Sequence, residues 1–204
     1  MVKHDKEAIQ IITEFVEGKM PIFDFKNQFD TNPLIKKNLD IDPNRPNNIE
    51  FGYNLVSFLE QEDINTISGA YGIHILLHQF LLRNGYSCVP IQTYSNKHLF
   101  LLKIQPSWLD ISDEEFLKIN IIDKIPLELK TETKKIKWCK EKIKELFKYE
   151  KTPPRWIQDP EWPIINGKPL IFRKQSKETK DDERVQFYFY DPDTKKEVII
   201  EQIY

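Results

Sequence analysis

Pro153-Pro154-Arg155-Trp156-Ile157-Gln158-Asp159-Pro160-Glu161-Trp162-Pro163 separates two kinds of sequence within this chain. Each proline lacks a backbone N–H and restricts the residue before it, so no helix runs through the stretch. It is also too aromatic for a solvated linker; the chain or a partner must cover both indoles. Before it, apolar residues recur at helical spacing, and beyond it they alternate. The switch of period predicts an α+β fold. A helical bundle occupies residues 1–152. A Trp/Pro-rich segment and an antiparallel β-meander occupy residues 153–204, packed with the helices as one domain.

Upstream, Ala8, Ile9, Ile11, Ile12, Phe15 and Val16 define a helix that stops at Gly18. Residues 22–29 form a short second helix, with Phe25 and Phe29 on one face. Pro33 and residues 42–48 read as loops. Phe51, Leu55, Phe58 and Leu59 mark the next helix, begun by Asn47 or Asn48. Residues 67–82 are apolar on most faces and predict a central buried helix ending at Asn84-Gly85. Ser95 caps a segment carrying Leu99, Phe100 and Leu102, which reads equally as a helix or a buried strand. Ser112 and Glu115 have capping-box spacing. Thr133 starts a helix over residues 134–149 with Ile136, Cys139 or Trp138, Ile143, Leu146 and Phe147 inward. The bundle therefore has about five to seven helices.

Downstream, Leu170, Phe172 and Lys174 share one face of a strand. Val185, Phe187 and Phe189 share a second, and Val198, Ile200 and Gln202 a third. Asn166-Gly167 is a turn signal, and residues 191–195 are turn chemistry between the last two strands. The polar stretch from 174 to 184 reads as a mobile hairpin loop.

Composition bounds the function. At 204 residues with 40% hydrophobic content, the chain can bury a sizeable core. Charged residues make up 30%, yet the formal net charge is only −2. That balance argues against general nucleic-acid binding, which leaves a basic excess. The two cysteines, Cys88 and Cys139, are too few and too far apart for a stapled secreted domain. They predict reduced thiols in a cytosolic protein. The charged start predicts no signal peptide, and no apolar run approaches a membrane span.

No motif spells out a reaction. His74 and His78 stand four apart on a predicted helix, but Ile75 occupies the position where a zinc protease needs Glu. His98 is the one plausible third imidazole and no ligand cluster surrounds it, so no metal is expected. Cys88 and Cys139 lie in no recognisable nucleophile setting. The chain has only six glycines, too scattered for a phosphate-binding loop, so no nucleotide cofactor is expected. Residues 130–151 hold nine Lys against four Glu. The attractive and repulsive pairs at helical spacing largely cancel, which reads as a solvated amphipathic helix.

Two stretches are acidic. Residues 40–63 carry six acids against Arg45, a local net of −5, and residues 110–128 carry six against two lysines, a net of −4. The bland reading is a solvated surface, with Asp113, Glu114 and Glu115 loading a helix N-terminus. The sharper one is an acidic face for a basic partner, presented by Glu60, Glu62, Asp63, Asp113 and Glu114. Trp156 and Trp162 likewise read either as a structural plug, with Gln158 and Glu161 bonding nearby backbone, or as an exposed anchor. A pocket near Trp156, Gln158, Glu161 and Trp162 would instead serve a small-molecule or enzymatic function.

The residues Pro153 to Gln158, then Glu161-Trp162-Pro163, Asn166-Gly167-Lys168-Pro169-Leu170, Phe172 and Tyr188-Phe189-Tyr190-Asp191 carry a resemblance. This quarter of the chain resembles small bacterial proteins, some of which look like immunity proteins of polymorphic or contact-dependent toxin systems. Residues 105–110 match the same group more loosely. The resemblance implies a cytosolic protein that neutralises a cognate toxin, such as a basic nuclease, by binding it. It brings no catalytic residues.

Overall fold

Asp5 opens the first helix of the computed structural model, which describes residues 4–41, 54–110, 114–176 and 184–203. Its carboxylate accepts the Glu7 and Ala8 N–H groups, satisfying donors that helix α1 (Lys6–Val16) leaves unpaired. The helix stops at Gly18, whose φ of +76° disfavours any residue with a Cβ. A Cβ there would also lie 2.4 Å from Ile91 Cδ1.

Helix α2 (Ile22–Thr31) runs almost directly into α3 (Pro33–Asp40). Pro33, read from sequence as a loop, is the first residue of α3. Proline's missing N–H costs nothing at that position, and the Asn32 side chain caps the helix by accepting the Leu34 N–H. Helix α4 (Leu55–Gln61) is capped by Asn54, whose side chain accepts the Ser57 N–H. The expected starters Asn47 and Asn48, with Phe51, lie outside the described residues. Helix α5 (Ile67–Arg83) ends at Asn84, as its periodicity predicts.

The chain divides into two compact units, Met1–Leu99 and Phe100–Tyr204. The division falls inside α6 (Thr93–Ile104). That segment is a helix, not a strand, and begins before Ser95. Leu101 and Ile104 are its buried residues, while Leu99 and Leu102 are exposed.

Ala8, Ile12, Phe15, Phe25, Phe29, Ile35, Leu39, Leu59, Ile73, Leu77 and Phe80 form the core of the first unit. Phe15 stacks on Phe25 at 4.5 Å between centroids. The buried His74 donates from Nε2 to the Val16 carbonyl at 2.9 Å. It shares that helix-end acceptor with the Ile91 N–H, also at 2.9 Å, so both lone pairs of the carbonyl are used.

The second unit contains α7 (Glu114–Asn120), a 3₁₀ turn (Ile122–Lys124) and α8 (Glu132–Leu146). Thr131, not Thr133, caps α8, because its hydroxyl faces the Lys134 N–H. Cys139, Ile143 and Phe147 are buried. Among the described residues there are eight α-helices, one more than the upper expectation.

β1 (Ile164–Ile165) and β2 (Lys168–Pro169) form a small hairpin around Asn166-Gly167, both at positive φ as a type I′ turn requires. β3 (Ile171–Gln175), β4 (Arg184–Asp191) and β5 (Lys196–Ile203) form an antiparallel meander in that order. Val185, Phe187 and Phe189 face the core with Phe172. A register shift after Phe172 breaks the alternation in β3, leaving both Arg173 and Lys174 exposed. The outer edge of β3 is covered: Phe172 donates to the Lys148 carbonyl and accepts the Glu150 N–H. Much of the expected loop between β3 and β4, residues 177–183, lies outside the described residues.

Candidate functional site

The acidic turn of the first unit lies where α4 passes into α5. Asp63 Oδ1 accepts the backbone and side-chain N–H groups of Asn65 at 2.9 and 2.8 Å. The Asp63 carbonyl accepts the Thr66 N–H and the Thr66 hydroxyl, and that hydroxyl accepts the Gly69 N–H. A Cβ at residue 69 would sit 2.3 Å from the Asp63 carbonyl oxygen, so only glycine lets the turn close this tightly. The turn is therefore held by bonds within itself.

Three of the five expected partner-binding acids are here. Glu60 is exposed and lies 2.8 Å from Lys36 Nζ. Glu62 is half-buried; loss of solvent, with the neighbouring Asp63 charge, raises its carboxyl above the ordinary carboxylate range. Asp63 is exposed. The second acidic stretch fares differently. Glu114 is only 4% exposed, so it presents no carboxylate to a partner. The reason is its place on the inward side of α7, next to the buried Leu117. Asp113, with Ser112 of the expected capping box, lies outside the described residues. Glu115, Asp123 and Glu128 are exposed.

The other site surrounds the tryptophan–proline segment. Trp162 is 4% exposed and meets the rings of Trp108, Phe147 and Phe189 at 5.3–5.5 Å. Its indole donates to the Leu170 carbonyl at 2.9 Å. Trp156 is half-buried, lies against Phe187 at 4.4 Å, and donates to the Trp108 carbonyl at 3.0 Å. Both indoles thus use their polar edge, as buried indoles must.

Polar anchors hold the rest of the segment. Gln202, 1% exposed, accepts the Ile157 and Gln158 N–H groups and donates to the Asp159 carbonyl. Gln175 accepts the Arg155 N–H. Gln158 donates to the Ile203 carbonyl. Glu161, expected to share that task, is exposed and makes no hydrogen bond among the described residues. Strand alternation puts Gln202 on the core face, but nothing in sequence says which backbone it holds.

Beside this segment lies a cleft of about 460 Å³ lined by Ser107, Trp108, Thr152, Pro153, Pro154, Arg155, Trp156, Gln158 and Pro160. The expected pocket residues Trp156 and Gln158 line it; Glu161 and Trp162 do not. Trp162 is spent in the core behind it. The lining that sequence reasoning missed is Trp108 and Arg155. A cavity of about 550 Å³ in the first unit offers less. Three of its polar residues serve the fold: Asp5 caps α1, Asn38 accepts the Asp5 N–H, and His4 Nε2 bonds the Ile41 carbonyl.

No family model, curated protein or solved structure matches this chain.

Among the described residues, no three side chains of His, Cys, Asp or Glu converge as a metal site. His98 Nδ1 pairs with the Ser68 hydroxyl, and its ring stacks on Tyr71 at 4.4 Å. Burial pushes the Cys139 thiol up to about 11 and raises Cys88 too. Neither thiol is poised as a nucleophile, which requires thiolate. No helix among the described residues is long and apolar enough to cross a membrane.

Proposed function

We propose that this chain is a bacterial immunity protein that binds one cognate toxin domain and blocks it, without chemistry of its own. The observation that carries the reading is the acidic turn at Glu60, Glu62 and Asp63. The backbone from Asp63 to Gly69 is braced by bonds within the turn, so little backbone ordering is left to the moment of binding. Glu62 stands partly desolvated beside a like charge, and a cationic partner would relieve that unfavourable arrangement. The resemblance of the C-terminal quarter to immunity proteins points the same way. A basic toxin, such as a nuclease, supplies the complementary charge, and attraction between the two faces speeds encounter. The protein would act in the cytosol, where such a toxin reaches its target.

The test is co-expression with the product of the gene immediately upstream. A stable one-to-one complex that abolishes that product's toxicity is the expected result. In the purified complex, Glu60→Lys, Glu62→Lys and Asp63→Lys together should lower the association rate by about 10-fold or more at low salt. The loss should shrink as salt is raised, because charges are screened beyond about 8 Å at physiological ionic strength. Identical rates for the two proteins at every salt concentration would remove the turn from the interface.

A further inference from the structure

We infer that the cleft beside Trp108 and Trp156 is a binding site for a small molecule that joins a flat ring to a carboxylate or phosphate. The inference goes beyond toxin binding and concerns the second unit of the chain. At about 460 Å³ the cleft falls within the range of about 300–1,000 Å³ typical of small-ligand sites.

The lining sorts by chemistry. Trp108 and Trp156 supply indole surface, and Pro153, Pro154 and Pro160 supply apolar saturated rings. Ser107, Thr152 and Gln158 are polar but neutral. Arg155 is the one charged residue among the nine, and no Asp or Glu joins it. Its exposed side chain has neither an ion pair nor a hydrogen bond among the described residues. Two other arginines of the second unit contrast with it: Arg173 faces Glu150, and Arg184 faces Glu201. A guanidinium stays charged at any ordinary pH, and its planar fork takes a carboxylate or phosphate through two parallel hydrogen bonds. A cationic ligand would meet that charge unopposed. An indole wall favours a ring packed against it.

The walls are set before any ligand arrives. Gln175 fixes the Arg155 backbone, the Trp156 indole is tied to the Trp108 carbonyl, and Gln202 holds residues 157–159. A site fixed in this way spends little binding energy on ordering itself.

The experiment is a titration of the full chain with benzoate and with phenyl phosphate, followed by the indole N–H signals in proton–nitrogen NMR. Benzamide supplies the ring without the charge; acetate and inorganic phosphate supply the charge without the ring. Saturable shifts of the Trp108 and Trp156 signals by benzoate or phenyl phosphate are expected, and the stronger of the two identifies the anion. The three controls should bind at least about tenfold more weakly, and Arg155→Gln should weaken the charged probes by a similar factor. Because Arg155 is exposed, Arg155→Gln should melt as the parent does. Ser107→Phe, which fills the cleft from an exposed position, should abolish binding by all probes. Equal binding of benzamide and benzoate, undiminished binding to Arg155→Gln, or shifts confined to Trp138 and Trp162 would overturn the assignment.

Discussion

Replacing Trp162 by alanine tests the packing of the second unit most directly. The side chain is 4% exposed and touches the rings of Trp108, Phe147, Phe172 and Phe189. A large aromatic withdraws about 150–250 Å² from water, which at about 25 cal/mol per Å² gives about 4–6 kcal/mol as an upper bound. Alanine keeps part of that area and the neighbours relax, so the expected loss is about 3–5 kcal/mol. The Leu170 carbonyl also loses its donor. Trp162→Phe isolates much of that second effect at about 1–2 kcal/mol, with the rest of its cost coming from lost volume. Trp156 is only half-buried, so Trp156→Ala should cost about 2 kcal/mol, less than a fully buried ring. Native-state hydrogen exchange of the β4 amides is the assay, because it reports the opening of this sheet separately from the first unit. A loss below about 1 kcal/mol for Trp162→Ala, or a larger loss for Trp156→Ala, would refute the view that Trp162 is the plug and Trp156 its outer wall.

Four further outcomes are expected. In the native protein a thiol reagent at pH 8 should modify Cys88 slowly and leave the fully buried Cys139 untouched, with both reacting after unfolding. Burial lowers the His74 pKa despite its bond to Val16, so the unfolded chain takes up a proton that the folded one refuses. Stability of the first unit should therefore fall as pH drops below about 6.5, the ordinary imidazole value, and level off below the folded value; His74→Gln should flatten that dependence in urea titrations. Thr131→Ala should cost about 0.5–1 kcal/mol, while Thr133→Ala should stay within about 0.5 kcal/mol, as measured by shifts in the urea midpoint. Lys195 sits at a φ of +58°, where an L-residue is strained by roughly 1–2 kcal/mol, so Lys195→Gly should raise stability by about 0.5–1 kcal/mol in the same assay.

Local chemistry made much of this protein legible from its residues alone. The α1 periodicity with its stop at Gly18, the extent of α5, the Asn166-Gly167 turn and the inward set Val185, Phe187 and Phe189 each depend on residues within a few positions of one another. Backbone geometry and side-chain period act over that range, so the α+β class followed from them. Pro33 was misread because a proline that breaks a helix and one that opens it differ only in what precedes it, and here Asn32 provides the cap. Tertiary structure decided the rest. The division inside α6, the burial of Glu114 and the contrast between Trp156 and Trp162 depend on partners far along the chain. Trp162 finds Phe147 and Phe189, Gln202 reaches back to Ile157, Gln158 and Asp159, and the Trp108 carbonyl takes the Trp156 indole. Such choices are made by packing and by the need of every buried polar group for a partner, and neither has a period that can be read along a sequence.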